Sequence, residues 1–547
     1  MPCSRTLAEI ARLLGLRVSP LDADRLVTGV THDSRRVTAG DLYAALPGAA
    51  RHGAEFADEA RRRGAVAALS DRPVAGLPTL LVGNPRRVLG PLASHLHADP
   101  SASLTVHAVT GTNGKTSTAH LLEAGLAAAG RCTGLLSTVV SRGAGPATES
   151  VRTTPEAPDL QAALAAMRDA GCTDAVVEAS SHGLDLARMD GTCVRTGVFT
   201  NLSRDHLDHH GDMEHYFAAK ASLFTPERCE RAVVSVDDRW GRRLAATTRC
   251  PVVTFSTDDG DADWRASDIC ADATGTTFRM RGPGVDRAVR LRLLGRHQVS
   301  NALGATAALV ADGTDVDDVL RGLEALEGVP GRLERVDEGQ PFAVFVDYAH
   351  NPAASAQVYE FLRGVTKGRL LVVLGAAGER DHGKRGLLAG TAAAAADLVV
   401  ITDESPHGED PRHIRAELTT AALATAGRGD VVVVPGRAEG LARVLDEARA
   451  GDTVVVGGRG HERWLYRHGR TAIEFDDRAV LTDLLRSVSS SVPNTLPYGV
   501  RRSAADVDAE VDAEVGAEVG AEVDAEVDAE VDVQGVGVVE AALRPAS

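Results

Sequence analysis

Apolar positions along this chain follow two rhythms. Between residues 104 and 236, continuous apolar runs at 104–109, 175–178, 196–200 and 231–236 are spaced by segments with a helical stripe, clearest at 117–129. Runs of that kind fit strands buried on both faces, and their alternation with helices predicts a parallel sheet with crossover helices. The rhythm restarts after Arg335, with strands expected at 343–347, 370–374, 398–402, 431–434 and 453–456. The first hundred residues read differently. An amphipathic segment at 6–14, a strand-like run at 79–82 and turns rich in Gly, Pro and Asp end at Asp99-Pro100-Ser101, which marks a boundary. The expected organisation is α/β throughout: a small domain at 1–101, a central parallel-sheet domain at 102–333, a second parallel-sheet domain at 334–487 and a tail at 488–547.

Composition sharpens this picture. A chain of 547 residues is too long for one core and fits three or four domains. The net charge of −17 is mostly tail, because twelve Asp and Glu lie between Asp506 and Asp532 with no Lys or Arg, leaving about −5 for the rest. There the repeat Ala-Glu-Val-Asp or Ala-Glu-Val-Gly packs like charges too densely for a stable helix, so disorder is expected. With 3% aromatic residues and no basic patch, neither stacked bases nor an anionic membrane is an expected partner. Seven scattered cysteines without a C-x-x-C pair fit reduced thiols. No run approaches the roughly 20 apolar residues of a membrane span, and residues 1–19 lack a signal-peptide core, so a cytoplasmic protein is expected.

Candidate chemistry begins at Thr110-Gly111-Thr112-Asn113-Gly114-Lys115-Thr116-Ser117, between an expected strand and an expected helix. In such a P-loop, backbone N–H groups and a helix N-terminus surround phosphates, Lys115 reaches the β- and γ-phosphates, and the Thr116 hydroxyl can ligate Mg²⁺. Val109 stands where the usual spelling has its first glycine. Glu178 ends a strand, where open α/β sheets place ligands, and suits Mg²⁺; alone it would equally suit a surface ion pair. After the next strand comes Asn201-Leu202-Ser203-Arg204-Asp205-His206-Leu207-Asp208-His209-His210-Gly211. With His215 these histidines could form a transition-metal cluster, although no cysteine accompanies them. Lys220, in Tyr216-Phe217-Ala218-Ala219-Lys220, reads from composition alone as an exposed helix lysine.

Together, in order and spacing, these motifs resemble the Mur ligase family, the cytoplasmic amide-forming enzymes of peptidoglycan precursor synthesis; the resemblance spans residues 28–464. It implies a UDP-substrate-binding N-terminal domain, a central P-loop ATPase domain and a C-terminal Rossmann-like domain. It also implies Glu178 and His206 as Mg²⁺ ligands beside Thr116, with the remaining histidines at the surface, and a carbamylated Lys220 as a further catalytic group. Asn301 near the adenine, Arg332 in Gly331-Arg332-Leu333, and Asp347 and His350 in Asp347-Tyr348-Ala349-His350-Asn351-Pro352 match ATP contacts. If these meet Lys115, the third domain closes over ATP and excludes water from an acyl phosphate.

Within the family, the resemblance is to the branch that adds a third residue to UDP-N-acetylmuramoyl-L-alanyl-D-glutamate. Thr153, Thr154, Ser180 and Arg188 match contacts to that dipeptide, and Ser34 the uridine-diphosphate site; Leu186 replaces a common glutamine. Arg380, Gly458 and Glu462 match a diaminopimelate site, Arg380 holding a carboxylate and Glu462 an ammonium group. The selecting motif, usually D-N-P-R, is here Glu404-Ser405-Pro406-His407, so a residue that is mostly neutral at pH 7 replaces a forked cation. Because the neighbouring Gly408-Glu409-Asp410-Pro411 and both flanking motifs still fit, diaminopimelate is the expected amino acid, with lysine or another diamino acid, in a paralogue of specialised metabolism, as the alternative. A P-loop switch protein, a folate-directed ligase of the same build and a silent binding module fit less of the motif series.

Overall fold

The computed structural model describes residues 4–489 apart from 49, 50, 144, 259, 426 and 428; the expected acidic tail, from 490 on, lies outside the described residues. These residues fall into two compact units, 4–85 and 86–489.

In the first unit, four parallel strands lie in chain order, Gly29–Thr31, Asp41–Ala44, Ala67–Ser70 and Thr79–Leu81. Tyr43, Ala60, Ala68, Val74 and Leu77 fill the core beside them. The amphipathic segment is the helix Leu7–Leu13, started by a capping box in which Thr6 and Glu9 satisfy each other's backbone N–H.

Two sheets build the second unit. The larger has eleven strands among the described residues. At its centre Thr105–Thr110 pairs in parallel with Asp174–Glu178 on one side and Val194–Phe199 on the other. The chain leaves Thr105–Thr110 through the helix Lys115–Ala128 toward one edge, and later returns to build Val194–Phe199, Cys229–Ser235 and Val252–Ser256 on the other side. That reversal opens a crevice at the carboxyl ends of the central strands, the place where such sheets bind ligands. Its far edge is an antiparallel meander, Trp264–Asp272, Gly275–Gly282 and Val285–Leu291. No continuous apolar run announces these strands, because outward positions such as Arg265, Arg279, Arg281, Asp286 and Arg287 are exposed, and their alternation was not part of the expected series.

The smaller sheet runs Glu334–Arg335, Ala343–Val346, Thr453–Val456, Leu370–Leu374, Leu398–Ile401 and Asp430–Val433, all parallel except the first pair. Its five longer strands match the expected series to within one residue at each end. Beneath the loop after Thr453–Val456 lies a buried ion cluster. Arg437 clamps Asp477 through two hydrogen bonds of 3.0 and 2.7 Å and also donates to the Gly457 carbonyl at 3.0 Å. Arg459, fully buried, lies 3.5 Å from Asp477 and donates to the Trp464 and Phe475 carbonyls. Removing one partner from such a cluster strands charge out of reach of water. Asp477→Ala is therefore expected to cost about 3–5 kcal/mol in denaturant unfolding, against a much smaller loss for Arg335→Ala, whose side chain pairs with Asp337 at the surface.

Candidate active site

The phosphate-type loop is set by two glycines. Gly111 has φ 149°, and a Cβ there would lie 1.9 Å from Thr200 Oγ1; Gly114 has φ 88°, and its Cβ would lie 2.3 Å from Asn301 Oδ1. Only glycine lets the loop press against both neighbours. Val109 is simply the penultimate residue of the strand, which is why the loop dispenses with a glycine there. Thr112 N and Asn113 N donate to Asn201 at 2.9 and 3.0 Å. Lys115 Nζ donates to the Gly111 and Thr112 carbonyls at 3.0 and 2.9 Å, and Ser117 is buried in the first helical turn. Burial pulls the Lys115 pKa down, and the Arg332 charge adds to this while Glu178 and Asp205 oppose it.

Beside the loop sits a carboxylate that water does not reach. Glu178, fully buried, accepts from Thr116 Oγ1 at 3.2 Å and from Thr138 N and Oγ1 at 2.8 and 2.9 Å. Arg332 Nη2 donates to Thr116 Oγ1 at 2.9 Å while its guanidinium lies 4.5 Å over the Tyr348 ring. The paired Thr116 hydroxyl and Glu178 carboxylate form a hard oxygen donor set that fits Mg²⁺. His206 stands apart from this pair: among the described residues no hydrogen bond joins its side chain to Glu178. It adopts φ 53°, and its N–H donates to Asp205 Oδ1 at 3.0 Å. Burial holds its imidazole neutral, with a pKa lowered to about 3.

Lys220 is not the exposed helix lysine of a composition-based reading. It is 1% exposed, its ammonium lies 4.6 Å from the Tyr216 ring centroid, and it donates to the Gly111 carbonyl at 2.8 Å. Burial, reinforced by Lys115, holds its pKa well below the usual lysine range. His210, expected at the surface, is buried and stacks on Tyr216 at 5.0 Å, because its short helix turns it under the Lys220 helix; His209 is half-buried and His215 exposed.

Asp205 and Asn351 close the site, and neither was singled out from the sequence. Asp205, 2% exposed, accepts from His350 Nε2 at 3.2 Å and Asn351 Nδ2 at 3.1 Å, and pairs with Lys384 at 3.4 Å. Burial opposes its charge, but the Lys384 charge and the His350 hydrogen bond help hold its pKa well below the usual range. Asn351 also donates to Asn113 Oδ1 at 3.0 Å, and Arg204 pairs with Asp381 at 3.1 Å. The smaller sheet thus meets the loop directly. Asp347 spends both oxygens on the backbone N–H groups of Leu333 and Ala349, at 2.6 and 2.7 Å, and so holds the turn that carries Arg332. Asn301 lies against Gly114 of the loop and donates to Gln298 Oε1 at 3.0 Å.

A second cluster flanks Glu178. Thr154 Oγ1 donates to the Glu178 carbonyl at 2.7 Å and receives Ser180 N at 2.9 Å; Arg188 bonds the Thr154 carbonyl at 3.2 Å and Glu156 at 2.9 Å. Thr153 reaches it through Thr138, at 3.2 Å. Ser34 belongs to the first unit, where its hydroxyl donates to Glu59 at 2.7 Å.

In the smaller sheet's loops, Arg380 has no hydrogen-bonded or ion-paired partner among the described residues. His407, 7% exposed at φ 52°, stacks on Tyr466 at 4.9 Å; burial, then the Arg380 charge, lowers its pKa to about 4. Ser405 Oγ accepts Tyr466 N at 3.3 Å, and Gly458, at φ 104°, lies against the Glu404 carboxylate. Glu462 is pushed up to about 7 by enclosure in the cleft, with Arg459 opposing and Glu404 and Asp477 assisting, although 40% of its side chain still meets solvent.

The chain is similar to proteins of known family. The chain matches the family descriptions "Mur ligase family, catalytic domain" at 26–95, "Mur ligase middle domain" at 109–309 and "Mur ligase, glutamate ligase domain" at 331–460. It is 46% identical over 490 residues to a Streptomyces avermitilis protein named UDP-N-acetylmuramoyl-L-alanyl-D-glutamate–2,6-diaminopimelate ligase, covering 88% of this chain and 96% of that one. A Corynebacterium glutamicum protein of the same name is 41% identical, covering 87% and 95%. A solved structure with that name superposes with a TM-score of 0.62 at 28% identity, over 89% of this chain and 100% of the other.

Because Glu462 is raised from 4.5 to about 7, its protonated form adds stability that is complete below pH 4.5 and lost as pH rises through 7. Carboxyl-carbon NMR of glutamate-labelled protein is expected to show one side chain titrating near pH 7, absent in Glu462→Gln.

Proposed function

The chain belongs to the Mur ligase family, and we propose that it uses ATP to join diaminopimelate to the D-glutamate side-chain carboxylate of UDP-N-acetylmuramoyl-L-alanyl-D-glutamate. The observation that carries this reading is the contact of Arg332, just before the smaller sheet, and Asn351, just after its strand Ala343–Val346, with Thr116 and Asn113 of the glycine loop. That contact allows one enclosed space to hold a triphosphate and an acceptor acid.

Joining a carboxylate to an amine in water requires a better leaving group than oxide. The substrate carboxylate oxygen attacks the γ-phosphorus, ADP leaves, and an acyl phosphate forms; the amine then attacks the acyl carbon, loses a proton and expels phosphate. Two anions must approach in the first step, and Lys115 and Arg332 are placed to neutralise them. Loop N–H groups from Gly111 to Ser117 hold the phosphates, and Asn301, Asp347 and His350 shape the nucleotide's surroundings. Thr116 and Glu178 would hold Mg²⁺, joined by His206, and the ion would supply positive charge against the phosphates. Thr153, Thr154, Ser180 and Arg188 hold the dipeptide, and Ser34 belongs to the uridine-diphosphate end.

The depressed Lys220 supports its carbamylation. A neutral amine is the form that adds to CO₂, giving a carbamate and releasing one proton, and burial supplies that form at neutral pH. The product would put a carboxylate beside the loop, between Lys115 and Tyr216.

Arg380, with no partner among the described residues, carries the amino-acid end for a carboxylate, with Glu462 for an ammonium group and Ser405, His407 and Gly458 completing the end. A second reading, transfer of lysine or another diamino acid, draws on His407, whose neutral, stacked ring cannot fork onto a carboxylate.

ADP release with the muramoyl dipeptide is expected to depend on diaminopimelate, one ADP per amide, and to fall by about 10²–10³ in Lys115→Ala. Turnover with lysine and none with diaminopimelate would select the second reading. Protein equilibrated with ¹³C-bicarbonate is expected to show a carbamate carbon by NMR that Lys220→Ala lacks; an identical spectrum from both proteins would refute the modification.

A further inference from the structure

The histidines after Val194–Phe199 are only partly used by the chemistry above. Asp185 ends the short helix Ser181–Asp185, and His209 and His210 end the short helix Leu207–His210. One ligand atom from each of these three residues lies within 4.8 Å of the others. We propose that Asp185, His209 and His210 form a transition-metal site, separate from the oxygen site at Thr116 and Glu178 and independent of the ligase reading.

Three observations support it. His209 Nε2 and Asp185 Oδ2 share a hydrogen bond of 3.0 Å, whose proton a bound ion would replace. Ligand atoms around tetrahedral zinc, with bonds near 2.0–2.1 Å, sit roughly 3.3 Å apart, so this pair is already at ligand spacing. His210, 9% exposed, has a buried Nε2 with no hydrogen-bond partner among the described residues. Buried polar atoms are nearly always satisfied, and an ion is one of the few groups that would account for this one. His182 closes the cluster, its ring centroid 4.2 Å from His209 and 5.6 Å from His210. Access is open from the solvent side, where Asp185 and His209 keep 49% and 19% of their side chains exposed.

The donor set selects the ion. Two imidazoles and one carboxylate favour borderline cations such as Zn²⁺, Co²⁺ or Ni²⁺, whereas Mg²⁺ prefers all-oxygen sites. A bound ion would tie together the two helices that follow the strand ends bearing Glu178 and leading to His206. It would therefore stiffen the crevice wall without touching the nucleotide loop.

The test uses the full-length protein, with ZnCl₂ as the probe, a competing chromophoric chelator and Mg²⁺ in large excess. One Zn²⁺ per chain is expected, with a zinc-dependent rise in Tm. Asp185→Asn and His209→Ala, both solvent-reaching positions, are each expected to weaken zinc binding more than about 100-fold, beyond the loss typical of an outer-shell partner. Both are expected to abolish the Tm shift and retain ATP turnover in Mg²⁺. Glu178→Gln is expected to keep the zinc. Absence of stoichiometric zinc, unchanged affinity in the Asp185 and His209 variants, or loss of zinc in Glu178→Gln would each overturn the assignment.

Discussion

A buried carboxylate gathers partners across the two sheets of the larger unit, beside the Arg332–Thr116, Asn351–Asn113 and Arg204–Asp381 contacts. Asp205, at the end of a central-sheet strand's following loop, takes hydrogen bonds from His350 and Asn351 and the charge of Lys384, all from the smaller sheet's side. An isolated carboxylate could not stay ionised there, since burial alone would protonate it. Its charge exists because the partners are in place, and the partners are held because it is charged. Each condition supports the other, so assembly of the crevice is coupled to the protonation state of one residue.

Around this anchor the crevice concentrates cations whose costs are set by burial. Lys115 and Lys220 both reach the Gly111 carbonyl, at 3.0 and 2.8 Å; burial depresses both, and the Lys115 charge depresses Lys220 further. Glu178 is close enough to favour the charged form of Lys115. A polyanion entering the crevice would relieve the crowding of Lys115 and Arg332, so binding of the nucleotide and recovery of full lysine charge are expected to be linked. The same low polarity strengthens each interaction once formed and keeps water from an activated acyl group.

Much of this was legible in the sequence because the signals were local. Strands buried on both faces announce themselves as apolar runs, and Gly111, Gly114 and Lys115 between an expected strand and an expected helix suggest a phosphate loop despite Val109 in place of the first glycine. The antiparallel meander was missed because its outward arginines dilute any apolar run. Lys220 could be assigned only by resemblance, since burial of a helix lysine is decided by what packs over it, here Tyr216 and the loop. His210 was misplaced for the same reason. Asp205 sat within a recognised motif, yet its role depends on His350, 145 residues away, and such pairing leaves no local trace.

The central claim is that this crevice makes the acid electrophilic by transferring a phosphoryl group to it. Dipeptide substrate labelled with ¹⁸O in the D-glutamate side-chain carboxylate tests that directly, by mass analysis of the phosphate released during amide formation. One ¹⁸O atom from the acid is expected in each phosphate, matched to one ADP. Phosphate carrying no label while amide accumulates would contradict the account.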